Sequence, residues 1–237
     1  MSHEVRYLPV LDQLLSEQEE DDKETWLDAF REIVGSIIIL QSPLSVISLA
    51  RLLQIPQRQV EFRLDFLHSV LSIPKNKDVP IRLLHLSFRE FLVDPRKQGK
   101  IPFWVDERRT HEKLASYSLE LMSKSNGLHQ NMCSLSPPGI LRSDINERTI
   151  SSNLSPELQY ACRYWVHHLE KSGQHITEGD ATHLFLQKHF LHWLEAMNLI
   201  RETNKCIYLI KGLRALANVR VVKTLFMYDL LTYNTVT

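Results

Sequence analysis

The sequence predicts a mainly α-helical protein in two parts. Apolar residues recur at i, i+3, i+4 and i+7 through most of its 237 residues. Segments that read as strands are confined to a short stretch around residues 71–85. The second half carries helix starts and stops without strands between them.

Taken in order, Val5 to Leu15 reads as a short amphipathic helix broken near its start by Pro9. Glu17 to Glu24, EQEEDDKE, is an acidic run expected as a solvated loop or helix start. Thr25 to Leu40 spaces Trp26, Phe30, Ile33, Val34 and Ile37 for a helix, with Thr25 as its cap. A second helix is expected from about Ser45 to Leu53, burying Val46, Leu49, Ala50 and Leu53. Pro56 suits the first turn of a third helix. That helix is expected to reach Leu71, with Val60, Leu64, Leu67 and Leu71 on one face. A hairpin follows: Leu71 to Ile73, a polar loop from Pro74 to Pro80, then Ile81 to His85. Three helices and a hairpin make the composition of a winged-helix domain, with the second and third helices as its helix-turn-helix.

The end of that hairpin is the most informative segment. Ile81 to Val93, IRLLHLSFREFLV, reads as an apolar strand ending at His85 and turning at once into a helix. Ser87 and Glu90 have the S-x-x-E spacing of a capping box, which predicts a helix start at Phe88. Helix N-termini offer unpaired N–H groups and a partial positive charge, so His85 beside one suits a phosphate or other anion. The plainer alternative is a strand-end histidine making one hydrogen bond.

Beyond Asp106 the pattern is helical. His111 to Met122 reads as one amphipathic helix, and Ser123 to Ser152 as a long loop rich in Ser, Asn, Pro and Gly. Ser155-Pro156-Glu157 is a helix start, with Gly173 as the stop of that helix. Thr182 to Asn198 reads as another, and Cys206 to Thr232 as one or two more. The expectation is a small α-helical bundle or superhelix.

Several chemistries find no support. Lysine and arginine number 28, as do aspartate and glutamate, so the formal net charge is zero and the basic surplus of a nucleic-acid binder is missing. On the third helix Arg58, Glu61, Asp65 and His68 share the outward face, with Gln59 and Arg63 flanking it. Two acids at its centre would repel phosphate. A winged-helix DNA-binding regulator with a helical dimerisation half is nonetheless the rival reading. Cys133, Cys162 and Cys206 are too few and too scattered for a disulfide framework or a zinc knuckle. His189, His192 and Glu195 share one helix face, with His183, His167 and His168 the next histidines in sequence. H-E-x-x-H is absent, so no metal site is expected. No G-x-S-x-G and no glycine-rich phosphate loop occurs, so the chain is expected not to be an enzyme. The longest apolar run, Ile37 to Leu40, falls far short of the ~20 residues of a membrane helix. A soluble, cytoplasmic protein without membrane contact is expected.

A family resemblance rests on longer blocks. LLHLSFREFL, Leu83 to Leu92, resembles the winged-helix signature of NACHT-type STAND ATPases, the NLR-like signalling proteins, and is closest to fungal members. SPLSVISLARLLQI (Ser42 to Ile55), LHSVLSIP (Leu67 to Pro74) and FWVDERRTHEKLA (Phe103 to Ala115) are similar to successive blocks of those proteins. So are SPELQYACRYWVHHLEKSG (Ser155 to Gly173) and FLQKHFLHWLEAMNLI (Phe185 to Ile200).

The resemblance implies a division into residues 1–24, the tail of a missing nucleotide-binding domain with an acidic linker; residues 25–106, the winged helix; and residues 107–237, a helical regulatory domain. It implies that His85 touches the phosphate of ADP bound by that missing domain. The isolated chain would hold no cofactor, whereas a full-length parent would bind ADP or ATP with magnesium. The implied partner is a protein, a nucleotide-binding domain or a full-length paralogue; self-association is the separate expectation if apolar surface is left uncovered. The implied role is innate-immunity or heterokaryon-incompatibility signalling.

Overall fold

The computed structural model describes residues 3–135, 140–218, 220 and 221. Among these the protein is mainly helical, with ten α-helices and a two-stranded antiparallel sheet. It divides into two compact units, residues 1–111 and 112–237. The division falls inside one helix, α6 (Glu107–Ser123).

The first unit begins with α1 (His3–Ser16), which runs through Pro9 without a break. Pro9 lacks the N–H for one intrahelical bond. Burial of Tyr7, Leu11 and Leu14 on one side of the helix offsets that loss. The acidic run forms a 3-10 turn, Glu20–Asp22, and leads straight into α2 (Lys23–Ile39). Thr25 therefore lies inside that helix rather than capping it. Trp26 stacks on Phe30 with ring centroids 5.5 Å apart, and Phe103 meets Phe30 edge-on at 5.6 Å.

Ser45 caps α3 (Val46–Leu53), its hydroxyl accepting from the Ser48 N–H at 3.1 Å. Helix α4 (Gln57–Leu64) is shorter than its apolar spacing suggests. Leu67 and Leu71 keep the period and are buried. The chain reaches them through tight turns, with Leu67 N–H bonding Leu64 C=O at 2.9 Å and Val70 N–H bonding Leu67 C=O at 3.0 Å. Burial repeats at helical spacing there without a helix. Strands β1 (Leu71–Ser72) and β2 (Arg82–Leu83) pair antiparallel, Leu71 opposite Leu83 and Ser72 opposite Arg82. Helix α5 (Leu86–Val93) follows at once and packs on α1.

In the second unit α8 (Pro156–Ser172), α9 (Ala181–Leu199) and α10 (Thr203–Leu216) pack on one another. Helix α8 starts and stops as the sequence predicts: Ser155 precedes Pro156, and Gly173 ends it in the left-handed region at φ 68°. Trp165 and Trp193 are fully buried and meet edge to face at 5.8 Å, and Trp193 Nε1 donates to the Cys162 carbonyl at 2.9 Å. At Gly212 helix α10 passes close to α8, a Cβ there standing 3.7 Å from a Val166 methyl and against the movable end of Glu170.

The segment expected as a structureless loop holds a 3-10 turn, Arg142–Asp144, and helix α7 (Glu147–Asn153). Asn146 caps α7 by accepting from the Arg148 N–H at 2.8 Å. Of the one or two helices expected over 206–232, α10 is one, and the portion beyond Val221 lies outside the described residues.

Candidate functional site

The corner between β2 and α5 is built from the inside outward. Phe88, Phe91 and Leu92 are fully buried, and Tyr7 lays its ring against Phe88 at 5.3 Å and Phe91 at 5.6 Å. These contacts fix α5, and hence fix its N-terminus. Arg89 ties the same helix down: its Nε donates to the Ile38 carbonyl at 3.1 Å, and its guanidinium pairs with Glu107.

The capping box expected at Ser87 and Glu90 does not form. The helix starts two residues earlier, at Leu86, and His85 itself occupies the cap position with extended φ −141° and ψ 130°. The Ser87 hydroxyl is shared with the Tyr7 hydroxyl at 2.7 Å, so a contact across 80 residues takes the group that a local box would use. His85 accepts the Phe88 N–H through its carbonyl at 3.1 Å. Its imidazole is exposed and makes no hydrogen bond among the described residues. The first N–H groups of α5 have no intrahelical partner by construction. The corner therefore presents one titratable ring and one helix N-terminus to the outside.

Next to this corner lies a groove of about 680 Å³ between the end of α2, residues 40–44, β2 and the start of α5. Its walls are mostly apolar, with Arg82 and Arg89 among the lining residues and His85 outside them. Sequence reasoning about His85 missed this groove. The signal was the alternation of Ile81 and Leu83 with Arg82, which marks a strand with unlike faces.

The other sequence candidates resolve as follows. On α4, Arg58 is exposed; Asp65 and His68, which follow it in the turn, are also exposed. Glu61 accepts from Gln57 Nε2 at 2.9 Å and pairs with Lys77 at 3.5 Å, and these partners hold its carboxyl below the usual range. Arg63 lies over the Trp26 ring at 5.6 Å, not among outward cations. The acids thus remain at the centre of the face that would meet DNA.

On α9, His189 and His192 bring their Nδ1 atoms to 3.3 Å. Glu195 is engaged elsewhere, accepting from the Asn131 and Met132 N–H groups at 3.1 and 3.0 Å. His183 Nδ1 accepts from the Gly179 N–H at 2.9 Å, and His168 Nε2 meets the Tyr160 hydroxyl at 2.7 Å. Burial lowers the His189 and His167 pKa values. Among the described residues no group of three or more His, Cys, Asp or Glu is placed to hold a metal ion. The three cysteines are unpaired and buried, and burial pushes the Cys162 thiol up to about 12. Among the described residues no helix is long and apolar enough to cross a membrane.

An alignment over 107 positions, covering 42% of the chain, is 30% identical to the vegetative incompatibility protein HET-E-1 of Podospora anserina. The matched stretch covers 8% of that much longer protein. No protein-family model and no solved structure matches the chain.

Proposed function

We propose that this chain is a non-enzymatic regulatory part of a NACHT-type, NLR-like signalling protein. In this reading residues 25–106 act as a winged helix that gates an ADP or ATP site, with the nucleotide and its magnesium held by a nucleotide-binding domain. Residues 107–237 act as a helical regulatory domain, and the signalling outcome is of the vegetative-incompatibility or innate-immunity kind in the cytoplasm.

One observation carries the reading: an exposed, unbonded imidazole at the cap of a helix anchored by Phe88, Phe91 and Arg89. A rigid helix N-terminus with a histidine beside it complements a phosphate. It is half a site, since no glycine-rich cradle and no carboxylate pair for magnesium accompanies it among the described residues. Two further points support the reading: the partial identity to a vegetative incompatibility protein, and the succession of α2, α3 and α4 and a two-stranded ladder before α5.

Gating requires that His85 contact nucleotide better in one state than in the other. The test is His85→Ala in a full-length parent protein, with co-purified ADP measured by chromatography. Loss of one charge-assisted hydrogen bond should weaken ADP retention about tenfold and raise basal signalling. Unchanged ADP retention together with unchanged signalling rules the gating role out.

A further inference from the structure

The second feature of this corner is the outer edge of β2. In an antiparallel ladder successive residues turn their N–H and C=O alternately toward and away from the partner strand. Leu84 N–H reaches the Val70 carbonyl at 3.0 Å, and Leu71 stands opposite Leu83. Arg82 and Leu84 therefore direct their backbone groups to β1, and Leu83 directs its own the other way. On that side a third segment begins to pair: Ile81 N–H bonds the Leu44 carbonyl at 2.9 Å, and Ser45 bridges Pro80 antiparallel. The pairing then stops. No backbone hydrogen bond joins Ser42 or Pro43 to β2 among the described residues, and the groove lies beside them. Leu83 N–H and C=O have no hydrogen-bond partner among the described residues.

An unpaired strand edge of this kind templates another strand. The walls beside it are apolar, from Leu40, Pro43, Leu44 and Leu86, and Leu86 is 64% exposed. Arg82 is exposed and has no acid partner among the described residues, whereas Arg89 is already paired with Glu107. A second copy pairing through the same edge about Leu83 would set two Arg82 side chains on one face, two residues apart. Like charges so placed repel. A strand bearing a carboxylate complements the edge instead.

We propose that β2 accepts an extended peptide from a partner protein, paired through the Leu83 backbone, with apolar side chains in the groove and an acidic residue facing Arg82. This is independent of the nucleotide reading, and His85→Ala should leave it intact.

The experiment selects a displayed library of random dodecamers on the immobilised 237-residue chain. The best peptide is then synthesised and its binding followed by fluorescence anisotropy and by amide hydrogen exchange. The expected winners alternate apolar residues and carry an aspartate or glutamate. Their binding should slow exchange at the Leu83 amide and weaken about tenfold with Arg82→Glu. The preference should then invert toward the peptide's lysine-substituted analogue. N-methylation of the peptide's central amide should abolish binding while leaving its side chains in place. The proposal is overturned by no enrichment, by peptides indifferent to Arg82→Glu, or by unchanged exchange at Leu83. It is also overturned if the unliganded chain proves to be a dimer that already protects that amide, which would assign the edge to a second copy.

Discussion

In residues 3–111 the buried polar side chains are Ser36, Ser45, Ser48, Lys97 and His111, and the groups of functional interest, His85 and Arg82, stand at the surface. In residues 112–221 polar groups have gone inside. His168, His183 and His189 are buried there, together with Glu157, against the one buried imidazole, His111, described in the first unit. The buried Trp165 Nε1, His183 Nε2 and His189 Nε2 lack hydrogen-bond partners among the described residues. Burial disfavours the charged form of an imidazole, and it lowers the His189 pKa. The first unit thus holds His85 and Arg82 at its surface, whereas three histidines of the second lie within its packing.

The largest expected effect tests the second core. Trp193→Ala removes a fully buried indole and the hydrogen bond that it adds to the Cys162 carbonyl. It should cost about 3–5 kcal/mol. Amide exchange should rise mainly in residues 112–221. An equal rise over residues 3–111 would show that the two cores do not respond separately.

Acid should sharpen the contrast. Burial, helped by Lys188 and His192, lowers the His189 pKa, and burial, helped by Lys171, lowers that of His167. The unfolded chain then takes up protons near pH 6.5 more readily than the folded one. The stabilising contribution is present above that pH and declines as pH falls below it. Denaturation monitored by residue-resolved exchange between pH 7.5 and 5 should show residues 112–221 weakening first. His189→Gln should flatten that dependence.

Smaller effects probe the first unit. Ser45→Ala removes the cap of α3 and should cost about 1 kcal/mol in chemical denaturation. Ser87→Ala removes only the hydroxyl shared with Tyr7, and about 0.5–1.5 kcal/mol should be lost. Tyr7→Phe should lose a similar amount, and the double variant little more. A capping role for Ser87 would instead make the two losses additive.

That last pair shows how far the corner was legible in the sequence. The strand, the histidine and the helix beyond it were readable, because burial at strand and helix periods leaves a local trace. The capping box was not, since Tyr7, which takes the Ser87 hydroxyl, lies 80 residues away. Leu67 and Leu71 mislead for a related reason: they are spaced like a helix, yet tight turns bury them just as well. Helix α7 was hidden because a short run of Ser, Thr and Asn lacks an apolar period, and only Ile150 of it is buried.

What the sequence settled by itself is the local grammar: the mainly helical class, the frame of α8 from Ser155 to Gly173, and the position of His85 where strand gives way to helix. Tertiary packing alone decided which polar groups remain free. The Ser87 hydroxyl, Glu195 and Arg89 are consumed by partners far away in sequence, whereas His85, Arg82 and the Leu83 backbone are left open. Propensity and periodicity act over a few residues. Hydrogen-bond saturation is settled by whatever the fold brings within about 3 Å.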